Sequence, residues 1–236
     1  MKNVVIIGAS GHGGMIMDCL EKEGKFTLVG FVDSFKPKGT YINGYEILGS
    51  ENELPLLMDK FGIDNAIVAI GNNFTRKLMV DKIAEIAPSL HFVTTIHPSA
   101  IIGKNVSIGK GSVIMPGAIV NCNSRIGNFC IVNTNSSLGH DGNMALFSSI
   151  SSGVCTGGNL ILGPYSALSL GARVIENISI GEHSVVGAGS LVVKDVGCHA
   201  VVYGSPARFV RSREPHDAYL SGDPVSNQCS PVIHGI

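Results

Sequence analysis

The sequence predicts two architectures in series, a small α/β domain on a parallel sheet followed by a left-handed parallel β-helix. Three observations carry this reading. A continuous apolar run, Val4-Val5-Ile6-Ile7, ends in a glycine-rich turn. Apolar strands and helical stretches then alternate as far as residue 95. From Ile102 onward an aliphatic residue recurs at every sixth position and the register does not slip.

Val4 to Ile7 is apolar throughout, which suits a strand covered on both faces. Residues 15–22 read as a helix, 28–32 as a second strand, 53–61 as a helix, 66–70 as a third strand and 76–87 as a further helix. Alternation with short links implies βαβ units on a parallel sheet, half of a Rossmann-like fold, over residues 1–95.

Over residues 96–213 the rule changes. The series from Ile102 to Val192 contains sixteen positions, of which fifteen are aliphatic, counting Met144, and the other is Thr156. Glycine directly follows eight of them, and the position two before is mostly small or β-branched, as at Ser112, Ser124, Ser136 and Ser148. Neither helical nor strand periodicity repeats in six. Each hexapeptide supplies one flat side of a triangular coil: the aliphatic side chain points inward, the small residue fits the corner, and glycine permits the turn. Three hexapeptides close a turn, so Ile102 to Val192 makes five turns whose rungs pair backbone to backbone. Residues 214–236 lack periodicity and read as a tail, either disordered or wrapped on a neighbouring subunit.

Composition narrows the function. With 17 basic and 18 acidic residues and a net charge of −1, nothing points to nucleic acid or an anionic membrane as partner. No stretch approaches the roughly 18 apolar residues of a membrane span. Six cysteines (19, 122, 130, 155, 198 and 229) show no CxxC pair and no metal-ligand spacing, which predicts a reduced, cytoplasmic protein with buried thiols and no metal. Gly8, Gly11 and Gly13 let backbone N–H groups approach a phosphate at the first helix N-terminus, and Asp33 suits a ribose or base hydrogen bond. Gly8, Gly11 and Gly14 also mimic a nicotinamide fingerprint, but the domain is half-sized and no hydride-transfer domain follows. His140-Asp141 has the makings of a base with its orienting carboxylate, or of a surface histidine in a tight turn.

Six elements then occur in a set order: Gly8-Ala9-Ser10-Gly11-His12-Gly13, Val32-Asp33, Ile70-Gly71-Asn72 with Arg76, Ile96-His97-Pro98-Ser99-Ala100, Gly139-His140-Asp141, and Gly204-Ser205-Pro206-Ala207-Arg208. Over residues 1 to about 213 they resemble the bacterial sialic acid O-acetyltransferase and bacillosamine N-acetyltransferase family of sugar acyltransferases. The resemblance implies a homotrimer of coils standing side by side, with acetyl-CoA in the groove between neighbours and a nucleotide sugar against the N-terminal domain. It implies His140 as general base, Asp141 as its orienting carboxylate and the Gly158 N–H facing the thioester oxygen. Ser149, Ala188, Lys194 and Arg208 would also touch acetyl-CoA, the last two from a basic cluster with Arg211 and Arg213. Gly8, Ser10, Gly11, His12, Gly13, Asp33, Gly71, Asn72 and Arg76 would hold the nucleotide sugar. Ser149 stands where many relatives carry a second histidine, nine residues after the base. The expected reaction is N-acetylation of a nucleotide-activated amino sugar for a bacterial surface glycan, with O-acetylation of sialic acid or another sugar hydroxyl as the alternative. Two other classes use the same coil. A zinc carbonic anhydrase needs three converging histidines, and a trimeric scaffold needs no chemistry at all.

Overall fold

A computed structural model describes residues 2–220. The N-terminal domain is built from β1 (Lys2–Ile7), α1 (Gly11–Glu23), β2 (Phe26–Val32), β3 (Tyr41–Ile42), β4 (Tyr45–Gly49), α2 (Leu54–Phe61), β5 (Ile63–Val68), α3 (Asn73–Ile86) and β6 (His91–Phe92). Its sheet has the order β3-β4-β2-β1-β5-β6, and every pairing is parallel except the β3–β4 hairpin. The expected three-strand sheet is thus extended at both edges. The hairpin turns at Asn43-Gly44, both at positive φ, an Asn-Gly turn matched to the twist of paired strands. The third strand starts and ends earlier than expected because Gly62, left-handed, caps α2 and turns the chain at once into Ile63.

Two-residue strands then recur every six residues from Thr95–Ile96 to Leu191–Val192. They stack into three parallel ladders, the faces of a triangular coil, beginning at Thr95–Ile96, Ile101–Ile102 and Ser107–Ile108 respectively. The coil therefore starts one hexapeptide before the aliphatic series, and the first ladder continues into Ala200–Gly204, which folds back antiparallel on Ala207–Ser212. The chain is a left-handed β-helix behind a half Rossmann-like domain. Inside, Ile114, Val120, Val132, Leu138, Met144 and their successors form one continuous apolar core.

The corners correct the sequence reading in one respect. The glycines that follow the aliphatic residues are not the ones that turn the chain. They are small because the next rung lies against them: a Cβ on Gly103 would sit 2.6 Å from the Cys122 nitrogen, and one on Gly163 2.6 Å from the Glu182 nitrogen. The left-handed turn falls three residues after each aliphatic instead, on Asn105, Asn123, Asp141, Asn159 and Asn177 at one corner. The small residues two before the aliphatic do more than fit. Ser112, Ser166 and Ser184 are fully buried, and each hydroxyl donates to a carbonyl and accepts an N–H from the neighbouring rung.

The N-terminal domain packs on the first face and on the corner leading into it. Val113, Met115 and Ile131 of the coil join the core that α1 makes with the sheet, and Phe129 and Phe147 join the core on its other side. Phe129, Phe147, Tyr165 and His183 occupy successive rungs of that corner, with ring centroids 4.9, 5.6 and 4.5 Å apart and nearly parallel. All four hold positive φ, a strained choice for bulky side chains that the stacking offsets.

Arg76 locks this junction. It is 1% exposed, and its five donors meet Phe129 O, Ile70 O, Gly71 O, Asn73 Oδ1 and Phe147 O at 2.7–3.2 Å. Every N–H is consumed, so the expected contact with substrate is replaced by a structural one. Burial lowers its pKa to about 10, and the guanidinium stays charged at neutral pH. Arg76→Ala leaves five acceptors without donors and is expected to cost about 3–5 kcal/mol in denaturant unfolding. Arg76→Lys should recover little of this, because an ammonium cannot reproduce the planar fork.

Candidate active site

His140 and Asp141 lie between a second-face strand, Ser137–Leu138, and a third-face strand, Asn143–Met144. Leu138 is fully buried, so the chain turns its next polar residues outward. The His140 Nδ1 is 2.7 Å from Asp141 Oδ2, with side chains 57% and 46% exposed. That bond holds the Asp141 carboxyl below the usual carboxylate range, and it orients the ring with Nε2 free. The left-handed φ of Asp141, +56°, turns its carboxylate back beside the preceding imidazole.

Gly158 lies one rung above. Its neighbour Asn159 donates its N–H to His140 O at 2.9 Å. A Cβ on Gly158 would overlap His140 at Cε1 and Nε2, so only glycine leaves the imidazole in place. Among the described residues the Gly158 N–H has no backbone acceptor. Glu176 and Lys194 follow on the next two rungs of the same corner, and Lys194 is roughly 14 Å from His140 at rung spacing. Lys194 and Arg208 line a cavity of about 330 Å³ at the end of the coil. The expected four-residue basic cluster is split, because Arg211 pairs with Asp217 at 2.9 Å and Arg213 is buried.

The glycine loop is elsewhere. The His140 corner joins the second and third faces, whereas the N-terminal domain covers the first. Within one chain the two halves of the expected site do not meet. The loop borders a cleft of about 610 Å³ lined by Ala9, Ser10, Gly11, Gly14, Lys36 and Asn43. Among the described residues nothing fills the space above Gly11, which leaves the helix N-terminus open to an anion.

Other motif residues serve the scaffold. Gly13 is buried and a Cβ there would overlap Gly8 O, so it packs the helix on the loop and does not face the cleft. Gly8 turns the chain at φ +102° and donates its N–H to Val32 O. The Asp33 carboxylate already accepts from the N–H groups of Ala9, Phe35 and Lys36, tying the loop to the end of β2. Asn72 caps α3, accepting from the Thr75 N–H at 3.0 Å. Gly71, His12 and Ser149 converge on a separate small cavity, and Ala188 lines a third with Ser151 and Tyr219. Ser149 and Ala188 thus lie away from their own chain's His140.

The cysteine expectation is corrected. Cys19 and Cys130 are buried, but Cys122, Cys155 and Cys198 are exposed, and Cys229 lies outside the described residues. Sequence reasoning missed the aromatic corner, whose signal is the 18-residue spacing of Phe129, Phe147, Tyr165 and His183. It also placed residue 214 onward in a tail, whereas residues 214–220 fold back on their own chain; residues 221–236 lie outside the description. Among the described residues no group of three or more His, Cys, Asp or Glu is placed to hold a metal ion. No helix among them is long and apolar enough to cross a membrane.

The fold is that of a hexapeptide-coil acyltransferase with an α/β domain in front. Residues 3–83 match the PglD N-terminal domain. The chain is similar to PerB from Caulobacter crescentus, solved with CoA and GDP-perosamine, at 31% identity and a TM-score of 0.83 over 89% of this chain and 98% of that one. It is also similar to the acetyltransferase domain of PglB from Neisseria gonorrhoeae, solved with acetyl coenzyme A, at 29% identity and a TM-score of 0.80 over 89% and 99% of the two chains. The UDP-N-acetylbacillosamine N-acetyltransferase of Bacillus subtilis (strain 168) is 34% identical over 117 residues, 49% of this chain; the match spans about half of that relative's length, 52%. The chain belongs to the acetyl-CoA-dependent sugar N-acetyltransferase family.

Gly158→Ala is expected to push the imidazole aside, lowering kcat roughly 10²-fold while leaving the melting temperature unchanged. Release of free CoA thiol and a circular dichroism melt check the two halves of that expectation.

Proposed function

We propose that the protein transfers acetyl from acetyl-CoA to the free amine of a nucleotide-linked amino sugar, as a cytoplasmic homotrimer supplying a bacterial surface glycan. The observation that carries this is the exposed His140–Asp141 pair with Gly158 packed directly against the imidazole. The amine lone pair attacks the thioester carbonyl carbon, forming the C–N bond as the carbonyl oxygen becomes negative. Gly158 N–H donates to that oxygen, and His140 Nε2 takes the proton the amine must lose. Collapse breaks the C–S bond, and the imidazolium returns the proton to the CoA thiolate. Asp141 keeps the tautomer and steadies the imidazolium. CoA would run up the corner from His140, with its phosphates toward Lys194 and Arg208.

The trimer supplies what one chain lacks. A second coil set beside the first can bring its catalytic corner to the first chain's nucleotide domain. Exposed Ile101, Ile161 and Leu170 give the coils apolar surface to bury against one another. Three exposed free thiols favour a reducing compartment.

Mass spectrometry with acetyl-CoA and a panel of nucleotide-linked amino sugars tests the reaction. A gain of one acetyl on a 4-amino sugar is expected, reduced about 10²- to 10⁴-fold in His140→Ala. Acetyl gain on a free sugar hydroxyl alone would make the protein an O-acetyltransferase. Mixing inactive His140→Ala with a chain made inactive at Ser10 or Gly11 should restore activity, because mixed trimers hold sites with both halves intact. No recovery would refute the shared site.

The pH dependence has a definite sign. The Asp141 carboxyl is held low, so its pairing with His140 is present above the ordinary carboxylate pKa and lost only as pH falls through the lowered value. As pH falls below the ordinary carboxylate range, kcat/KM should therefore lose a component that Asp141→Asn lacks at every pH.

A further inference from the structure

The second face of the coil carries one break in an otherwise regular ladder. The residue after each inward-facing position sends its N–H to the carbonyl of the inward residue one rung on. Gly103 bonds Val120 O at 2.7 Å, Asn121 bonds Leu138 O at 3.0 Å, Gly157 bonds Val174 O at 2.8 Å and Ile175 bonds Val192 O at 3.1 Å. Gly139, the residue before His140, is the exception among the described residues. Its N–H is accepted at 3.0 Å by the Thr156 hydroxyl and not by the Thr156 carbonyl. The strand register shows the same break. Ser137–Leu138 pairs with Cys155–Thr156 through Ser137 and Cys155 alone, whereas the rungs below and above pair both residues.

Thr156 is also the residue that interrupts the aliphatic series, and it is 6% exposed. A hydroxyl buried where the other rungs carry an aliphatic side chain gives up apolar contact, so the core itself gives no reason for it. The reason lies beside the base. On neighbouring rungs the peptide above the glycine turns its nitrogen toward it: a Cβ on Gly103 would first meet Cys122 N, and one on Gly157 would first meet Glu176 N, each at 2.6 Å. Over Gly139 the peptide between Gly157 and Gly158 turns its oxygen instead, and a Cβ there would first meet Gly157 O. The C=O and N–H of a trans peptide point opposite ways, so the Gly158 N–H is aimed away from Gly139. Gly139 is buried and its N–H needs a partner; the Thr156 hydroxyl supplies one and leaves the backbone of residues 156–158 free to turn. The Asn159 N–H still bonds His140 O at 2.9 Å, which confines the turn to those residues.

We propose that Thr156 is a positioning residue for acetyl transfer: its hydroxyl takes the Gly139 N–H out of the ladder, and the released Gly157–Gly158 peptide aims the Gly158 N–H at the thioester oxygen beside His140. This rests on the role proposed above for the Gly158 N–H and deepens it. Thr156 is buried and acts through the backbone.

Thr156→Val and Thr156→Ser test it, by steady-state release of CoA thiol and a circular dichroism melt on the full chain. Valine matches threonine in shape and the rest of the series in polarity, and it leaves Gly139 no acceptor but the backbone carbonyl. Thr156→Val is expected to lower kcat about 10- to 100-fold, with KM for acetyl-CoA and for the sugar acceptor unchanged and the melting temperature equal or higher. Thr156→Ser, which keeps the oxygen, should hold kcat within about threefold of the wild type. In the His140→Ala background Thr156→Val should lower the remaining rate by the same factor, since the N–H acts on the thioester and not through the base. Full kcat in Thr156→Val, with His140→Ala impaired, overturns the role of Thr156 and leaves that of His140 standing. Loss of kcat and melting temperature together in both variants makes Thr156 structural and also overturns it. A wild type that transfers acetyl to no sugar sinks both readings.

Discussion

Arg76 carries a full positive charge in the interior, satisfied by four backbone carbonyls and one amide oxygen from residues 70–73, 129 and 147. Two of those carbonyls belong to the coil and two to the loop after β5, so the guanidinium joins an α/β domain to a β-helix at a point where neither has side chains to spare. The consequences spread outward. Holding the start of α3 fixes Asn73, whose amide donates to Tyr165 O and Ser166 O and whose N–H donates to the Tyr219 oxygen. Holding the corner carbonyls at 129 and 147 keeps the aromatic rungs in register. The same charge helps keep His12 neutral. One cation thereby sets the seating of the α/β domain and the docking of the C-terminal return, and adds to the burial that keeps the His12 ring neutral.

The coil was legible because its period is a whole number that no helix or strand imitates. Less legible was the division of labour inside each hexapeptide. Glycine after an aliphatic residue suggests a turn, yet Gly103, Gly127 and Gly163 answer to the backbone of the rung above. The turn itself belongs three residues on, where asparagine dominates one corner and aromatic rings another. Ring and amide tolerate the left-handed conformation for different reasons: asparagine bonds locally, whereas Phe147 is held by partners above and below. A six-residue reading cannot see those partners. They are eighteen residues apart and visible only when the coil is wound.

The site motifs divided along similar lines. His140, Asp141, Ser10 and Gly11 are exposed, and none of the described residues occupies the space around Gly11. Gly13, Asp33, Asn72 and Arg76 carry equally strong motif signals, but their partners lie within the chain. A motif records that a residue type is required; it does not say whether ligand or scaffold requires it. Burial and spent hydrogen-bonding capacity separate the two, and both are properties of the folded molecule. The Asn43-Gly44 turn is a different case, since its signal was present in the sequence and went unread.

The separation of the two halves within one chain follows from what acetyl transfer demands. A thioester is already activated, so the protein need only hold a base and an N–H donor at fixed separation. Stacked rungs do this well, because His140 and Gly158 are tied through the backbone bond from Asn159 and cannot drift apart without breaking a ladder. Such a corner needs no pocket of its own and can stand in solvent. Recognition of an acceptor needs the opposite, a concave surface, and the cleft of about 610 Å³ beside Ser10 and Gly11 offers one. With the proposed chemistry on the lattice and acceptor binding on the α/β domain, the cleft around Ser10 and Gly11 could change without moving His140.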